Sequence, residues 1–190
     1  LTVQGRVSDD RSGVALLSVQ VDAGPLQTVP LDSSTGRFSY VTALPRNGTP
    51  DGSHLVRFVA TDVAVNVSAT ATQSFRLDTQ APTIDLLNGT SGQTINVNPS
   101  LMGRVTDPVS GVAALSVQVD GGALLPLAID AIGAFHFTPS FALDGSADGT
   151  HVLRFHALDV VGNPETVTAF SFTLNTFAPA LNPTTITSML

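Results

Sequence analysis

The chain of 190 residues has no Cys, no Lys and no Trp, and its only Glu is Glu165. Without Cys there are no disulfides, thiolate metal sites or cysteine nucleophiles. Without Lys there is no Schiff-base chemistry and no Lys–Asn cross-link, and all eight basic residues are Arg. With a single Glu, a catalytic carboxylate pair has to be drawn from Asp. Charged residues make up 12% of the chain, about half the usual quarter. The net charge of -7 disfavours nucleic acid and anionic membrane surfaces as partners. No apolar run approaches the roughly 18–20 residues of a membrane helix, so no membrane insertion is expected.

What is present is a period of two. Ala15, Leu17, Val19 and Val21 alternate with Leu16, Ser18 and Gln20, and Phe170, Phe172 and Leu174 alternate with Ser171 and Thr173. One apolar and one mostly polar face predicts antiparallel strands packed on one side. Twelve Pro and sixteen Gly at short spacing leave no room for a long helix. The length suits about two domains of roughly 95 residues each.

An internal repeat runs through most of the chain. SGVALLSVQVD at 12–22 returns as SGVAALSVQVD at 110–120, and GRVSD at 5–9 as GRVTD at 103–107. DGSHLVRFVATDVAVN at 51–66 returns as DGTHVLRFHALDVVGN at 148–163, and FRLDTQAP at 75–82 as FTLNTFAP at 172–179. The register expects one domain over 1–80, lacking its first strand, a second over 81–177, and over 178–190 the first strand of a further repeat or a donor strand. Strands in the second repeat are expected near 83–88, 101–106, 112–119, 124–130, 134–138, 151–158 and 166–174. Seven short strands in this span predict all-β, immunoglobulin-like antiparallel β-sandwiches in tandem.

The set GRVTD, SGVAALSVQVD, DGTHVLRFHALDVVGN and FTLNTFAP resembles the tandem bacterial immunoglobulin-like domains of large exported adhesins and surface proteins. The resemblance covers nearly all of both repeats. It implies a β-sandwich, an extracellular location, a stalk, spacer or adhesive role, and no catalysis. Val65 stands where the second repeat has Gly162, so the first repeat's turn is expected to be distorted.

Calcium is the cation that the acidic residues suggest. In a seven-strand sandwich the loops carrying Asp107 and Asp159 fall at one end, the end that receives the linker carrying Asp78. Such carboxylates suit Ca²⁺, which takes six to eight oxygen ligands. The competing reading is that they are turn formers, since Asp readily bonds its own nearby backbone. Asp51-Gly52-Ser53-His54 and Asp148-Gly149-Thr150-His151 offer an acid/base pair, against a turn feeding a strand. No nucleophile is tied to them by any motif. His54, His136, His151 and His156 are too dispersed for zinc, and His151 and His156 lie at odd spacing on one strand. Asn47, Asn66 and Asn88 head glycosylation triplets. Most aromatic residues sit on the inward phase.

These observations predict a non-catalytic structural module of an extracellular adhesin, stalk or filament. Its partners would be neighbouring repeats or copies of itself joined head to tail, with 178–190 donating a strand. The alternative is a carbohydrate-binding accessory module of a secreted enzyme, which Tyr40 alone among Trp and Tyr residues supports weakly.

Overall fold

The structure, a computed structural model, describes residues 1–181. It is all-β, and no helix occurs among the described residues. The chain divides into two compact units, Leu1–Gln80 and the part from Ala81 onward. Each is an immunoglobulin-like antiparallel β-sandwich.

The first unit contains β1 (Thr2–Arg6), β2 (Val14–Val21), β3 (Gln27–Thr28), β4 (Arg37–Val41), β5 (Gly52–Asp62) and β6 (Ala71–Leu77). One sheet has the order β3-β2-β5-β6 and the other pairs β1 with β4. Alternation puts Leu17 and Val19 of β2 and Val56 and Phe58 of β5 inward, where with Val29 they form the buried core. Val3, Phe38 and Tyr40 of the facing sheet close over them and remain half-buried.

The second unit contains β7 (Thr83–Leu86), β8 (Gln93–Ile95), β9 (Leu101–Thr106), β10 (Val112–Val119), β11 (Leu124–Leu127), β12 (Ala134–Phe137), β13 (Gly149–Asp159) and β14 (Thr166–Leu174). Its sheets have the orders β12-β9-β7 and β11-β10-β13-β14-β8. The core is larger: Leu101, Val105, Leu115, Val117, Phe135, Leu153, Phe155, Phe170, Phe172 and Leu174 are all buried. Each fully buried Phe contributes about 1.5–3 kcal/mol relative to exposure.

The sequence did not announce β8. It lies parallel to β14, with Phe172 opposite Gln93 and Leu174 opposite Ile95. The chain leaves one sheet after β7 and joins the other at β8. Asn88 secures the crossing, donating from Nδ2 to Ser100 O (2.8 Å) and accepting from Met102 N–H (2.7 Å). The described part of residues 178–190 is exposed and outside any strand; the remainder of that expected strand, 182–190, lies outside the described residues.

The turn at Val65 keeps its shape instead of distorting. Val65 adopts φ 69°, beside φ 80° at Gly162. The same frame holds both turns: Asp62 accepts from Asn66 N–H (2.7 Å), and Asp159 from Asn163 N–H (2.9 Å). A β-branched residue in the left-handed region is strained by roughly 1–2 kcal/mol, and Val65, 77% exposed, recovers little by burial. Val65→Gly therefore raises the stability of the first unit by about 1 kcal/mol, read as a later denaturant midpoint at unchanged slope. An earlier midpoint would contradict it.

Candidate functional site

The loops before β10 and after β13 are built around carboxylates. Asp107 Oδ1 accepts the N–H groups of Val109 (2.9 Å), Ser110 (2.9 Å) and Gly111 (2.8 Å). Asp159 Oδ1 accepts those of Gly162 (2.6 Å) and Asn163 (2.9 Å), and its Oδ2 accepts from Asn163 Nδ2 (2.6 Å). Asp159 is 4% exposed. Burial, the largest single influence, pushes its pKa up, but the bonds from Asn163 and Gly162 outweigh it and hold the carboxyl below its ordinary value.

The fold brings Asp107 and Asp159 together, with a carboxylate oxygen of each within 4.8 Å of the other. The ion pairs His54–Asp22, His151–Asp120 and His156–Glu165 lie elsewhere. Asp78 belongs to the first unit, just after β6, and its Oδ1 accepts from Gln80 N–H (3.1 Å). The donor set is hard oxygen throughout, which fits Ca²⁺ and does not fit zinc or copper. Oδ1 of Asp107 and both oxygens of Asp159 are already engaged by N–H groups, so these residues are turn formers as well as potential ligands.

The first unit repeats the pair's local chemistry. Asp9 Oδ1 accepts from Arg11, Ser12 and Gly13 N–H, as Asp107 does in its own loop. Asp9 and Asp62 stand at the repeat positions of Asp107 and Asp159, a recurrence visible in the sequence.

The histidines are paired differently from what the Asp-Gly-x-His motif suggested. Asp51 does not face His54; it holds Thr79, accepting from its N–H (2.9 Å) and its Oγ1 (2.9 Å). Asp148 holds Thr176 in the same way. The histidines instead take the Asp that ends the SVQVD motif. His54 Nδ1 lies 2.8 Å from Asp22 Oδ2, and His151 Nδ1 lies 2.6 Å from Asp120 Oδ2. The other ring nitrogen faces a carbonyl in both units, Pro50 O and Ala147 O. Two acceptors on one ring are satisfied together only by the imidazolium, which donates from both nitrogens. Asp22 and Asp120 also accept Leu55 and Val152 N–H, and both sit at φ near 50°, a region that Asp tolerates.

The hydrogen bond from Asp22 is the largest influence on His54 and raises its pKa above 6.5. For His151 burial is the largest influence and lowers it, but the bonds to Asp120 and Ala147 outweigh it, so the net direction is up. The rings are also packed, His54 stacked on Phe75 and His151 against Phe141 and Phe172. The amide of Asn66 bonds Asp62, so Asn66 and Asn88 have their side chains committed within the fold.

No family model matches the chain, and no curated protein matches it. Among solved structures it is similar to part of a 1.5-MDa bacterial ice-binding adhesin described for host cell surface retention, at 20% identity and a TM-score of 0.48. That likeness covers 95% of this chain and 59% of the other. A tetra-tandem repeat from the extending region of a large adhesion protein matches at 17% identity and a TM-score of 0.41, covering 92% of this chain and 45% of that one. The fibronectin(III)-like modules of Clostridium thermocellum CbhA match at 12% identity and a TM-score of 0.37, covering 91% and 85%. The chain thus spans about half the length of the first two. At these values the likenesses assign no role.

Proposed function

We propose that the chain is a non-catalytic structural module of an extracellular stalk, adhesin or filament. The observation that carries this reading is where the acidic side chains are spent. Twelve of the fourteen Asp accept at least one backbone N–H. A carboxylate engaged in this way fixes a loop. His54 and His151 are tied to such carboxylates, so the motif residues most like an acid/base pair serve as clamps. Rigid loops at strand ends are what a load-bearing repeat requires.

Calcium belongs to this reading, with Asp107 and Asp159 of the second unit as ligands. The ion would supply positive charge to carboxylates that now accept N–H groups. Extracellular modules hold Ca²⁺ with Kd on the order of 10⁻⁴–10⁻³ M. At about 5 mM Ca²⁺ the native state gains about 1–2 kcal/mol, a rise in Tm on the order of 5–10 °C. Asp159→Asn abolishes that rise. A wild-type Tm that is the same in Ca²⁺ and in chelator would remove calcium from the account.

The structural role itself is tested by incubation with insoluble cellulose, mannan, xylan and chitin. The reading expects the chain to stay in the supernatant with all four. Retention on one of them would overturn it in favour of a carbohydrate-binding module.

A further inference from the structure

Asn is followed by Gly at Asn47-Gly48 and at Asn88-Gly89. In such a pair the glycine nitrogen can attack the side-chain amide carbon of the asparagine, because glycine has no side chain in the way. The fold holds the two pairs differently. The Asn88 amide is bonded at both ends, from Nδ2 to Ser100 O and at Oδ1 from Met102 N–H, so its Cγ is fixed. Asn47 is exposed in the loop between β4 and β5. Its side chain makes one hydrogen bond among the described residues, Oδ1 accepting Thr49 N–H (3.2 Å), which leaves Nδ2 free. That bond also draws electrons from Cγ, the atom to be attacked.

The nucleophile is held as well. Gly48 N–H donates to Thr79 Oγ1 (2.9 Å), and Gly48 O accepts from Asp51 N–H (3.2 Å). Thr79 Oγ1 in turn donates to Asp51 Oδ1 (2.9 Å). A hydrogen-bonded line therefore runs from Gly48 N–H through the Thr79 hydroxyl to the Asp51 carboxylate. An amide N–H lies in the peptide plane, so the bond to Thr79 leaves the face of the nitrogen open to Cγ.

We infer that Asn47-Gly48 is a self-modifying site, where Asn47 is converted by water to an acidic residue, with Thr79 as proton acceptor and Asp51 as the group that positions it. Gly48 N forms a bond to Asn47 Cγ. Its proton passes to Thr79 Oγ1 as the hydroxyl proton moves to Asp51. The Cγ–Nδ2 bond breaks, and Nδ2 leaves as ammonia with a proton returned through solvent. Water then opens the cyclic imide at either carbonyl, leaving Asp or isoaspartate at position 47. The step consumes one water, releases one ammonia and changes no oxidation state.

The second unit shows that the turn tolerates the product. It has Asp144-Gly145-Ser146 at the matching positions, and Asp144 Oδ1 accepts Ser146 N–H (3.0 Å) as Asn47 Oδ1 accepts Thr49 N–H. Asp144 itself is a poor reactant, since an ionised carboxylate has no leaving group. The Ser146 hydroxyl and N–H keep it ionised by holding its pKa below the ordinary value. The inference goes beyond the structural-module reading and stands apart from it, because the reaction needs only the folded loop and water.

The test is incubation of the full chain at mildly alkaline pH, with samples digested after Arg and read by mass spectrometry. Cleavage after Arg46 and Arg57 isolates Asn47, and cleavage after Arg76 and Arg104 isolates Asn88. In the folded chain Asn47 is expected to lose its amide at least about tenfold faster than Asn88, below the roughly 10²–10⁴-fold of a well-matched base. In denaturant the two are expected to react alike. Thr79→Val, with its fold checked by circular dichroism, is expected to slow Asn47 by about tenfold or more, and Thr79→Ser to restore the rate. Equal rates at Asn47 and Asn88 in the folded chain, or a Thr79→Val chain that reacts as fast as the wild type or faster, overturns the proposal. Should Thr79→Val unfold the first unit, the comparison of Asn47 with Asn88 in the wild type decides by itself.

Discussion

Replacing Phe155 by Ala lowers the stability of the second unit by about 3–5 kcal/mol, whereas Phe58→Ala costs the first unit about 2–3 kcal/mol. The two residues hold the same repeat position and make matching ring contacts. Phe155 meets Phe135 and Phe137, and Phe58 meets Phe38 and Tyr40. The difference lies in closure. Phe155 is fully buried, and its loss leaves a cavity that the surrounding strands cannot collapse. Phe58 is 7% exposed and borders an open groove, so part of that cavity cost is already present in the native state. For a domain whose whole stability is about 5–15 kcal/mol, the larger loss brings the second unit near its unfolding threshold. Calorimetry of the two variants separates the two effects. Equal losses at the two positions would show that the first unit's core is as closed as the second's.

His151→Ala costs the second unit about 2–3 kcal/mol at pH 5 and flattens its stability between pH 6 and 9. The ring is held between Phe141 and Phe172, with side-chain exposure of 13%, so its removal leaves a gap. The pH dependence follows from the direction of the shifts. His54 and His151 have pKa values raised above 6.5 in the folded chain. Their contribution is complete below about pH 6.5 and is lost as pH rises through the folded values. Asp22 is lowered from 3.8, chiefly by the hydrogen bond from His54 and then by that from Leu55 N–H. Its contribution is present above that value and is lost as pH falls through the lowered one. Stability is therefore greatest between about pH 4 and 6.5.

Asp120→Asn isolates the charge, because Asn accepts the left-handed φ and can still receive Val152 N–H. With Asp120 40% exposed, the loss is about 1–2 kcal/mol at pH 5 and smaller at pH 9. Denaturant midpoints across pH measure it. A wild type more stable at pH 9 than at pH 5 would contradict the clamp.

The fold was legible wherever neighbouring residues alternate. Leu17 and Val19, Leu153 and Phe155, and Phe170, Phe172 and Leu174 follow the period of two and are all buried. β8 was not legible. Gln93–Ile95 is three residues long, has no apolar alternation, and exists only through its parallel pairing with β14, far along the chain. The histidine partners were hidden for a similar reason. Asp51 and Asp148 stand beside the histidines in sequence, but Asp22 and Asp120 reach them across the sheet from the end of β2 and β10. The shared VQVD ending of those strands was the available signal. At the acidic pair, residue type and loop position place Asp107 and Asp159 at one end of the sandwich. The N–H groups that hold them depend on loop conformation, which spacing does not specify.

Hydrogen–deuterium exchange of the chain tests most directly the claim that the acidic side chains fix the loops. The amides of Val109 and Gly111, held by Asp107 in the wild type, should exchange more than about tenfold faster in Asp107→Ala. Exchange at Val109 and Gly111 that is the same in both chains would mean that Asp107 does not hold its loop, and would contradict the account.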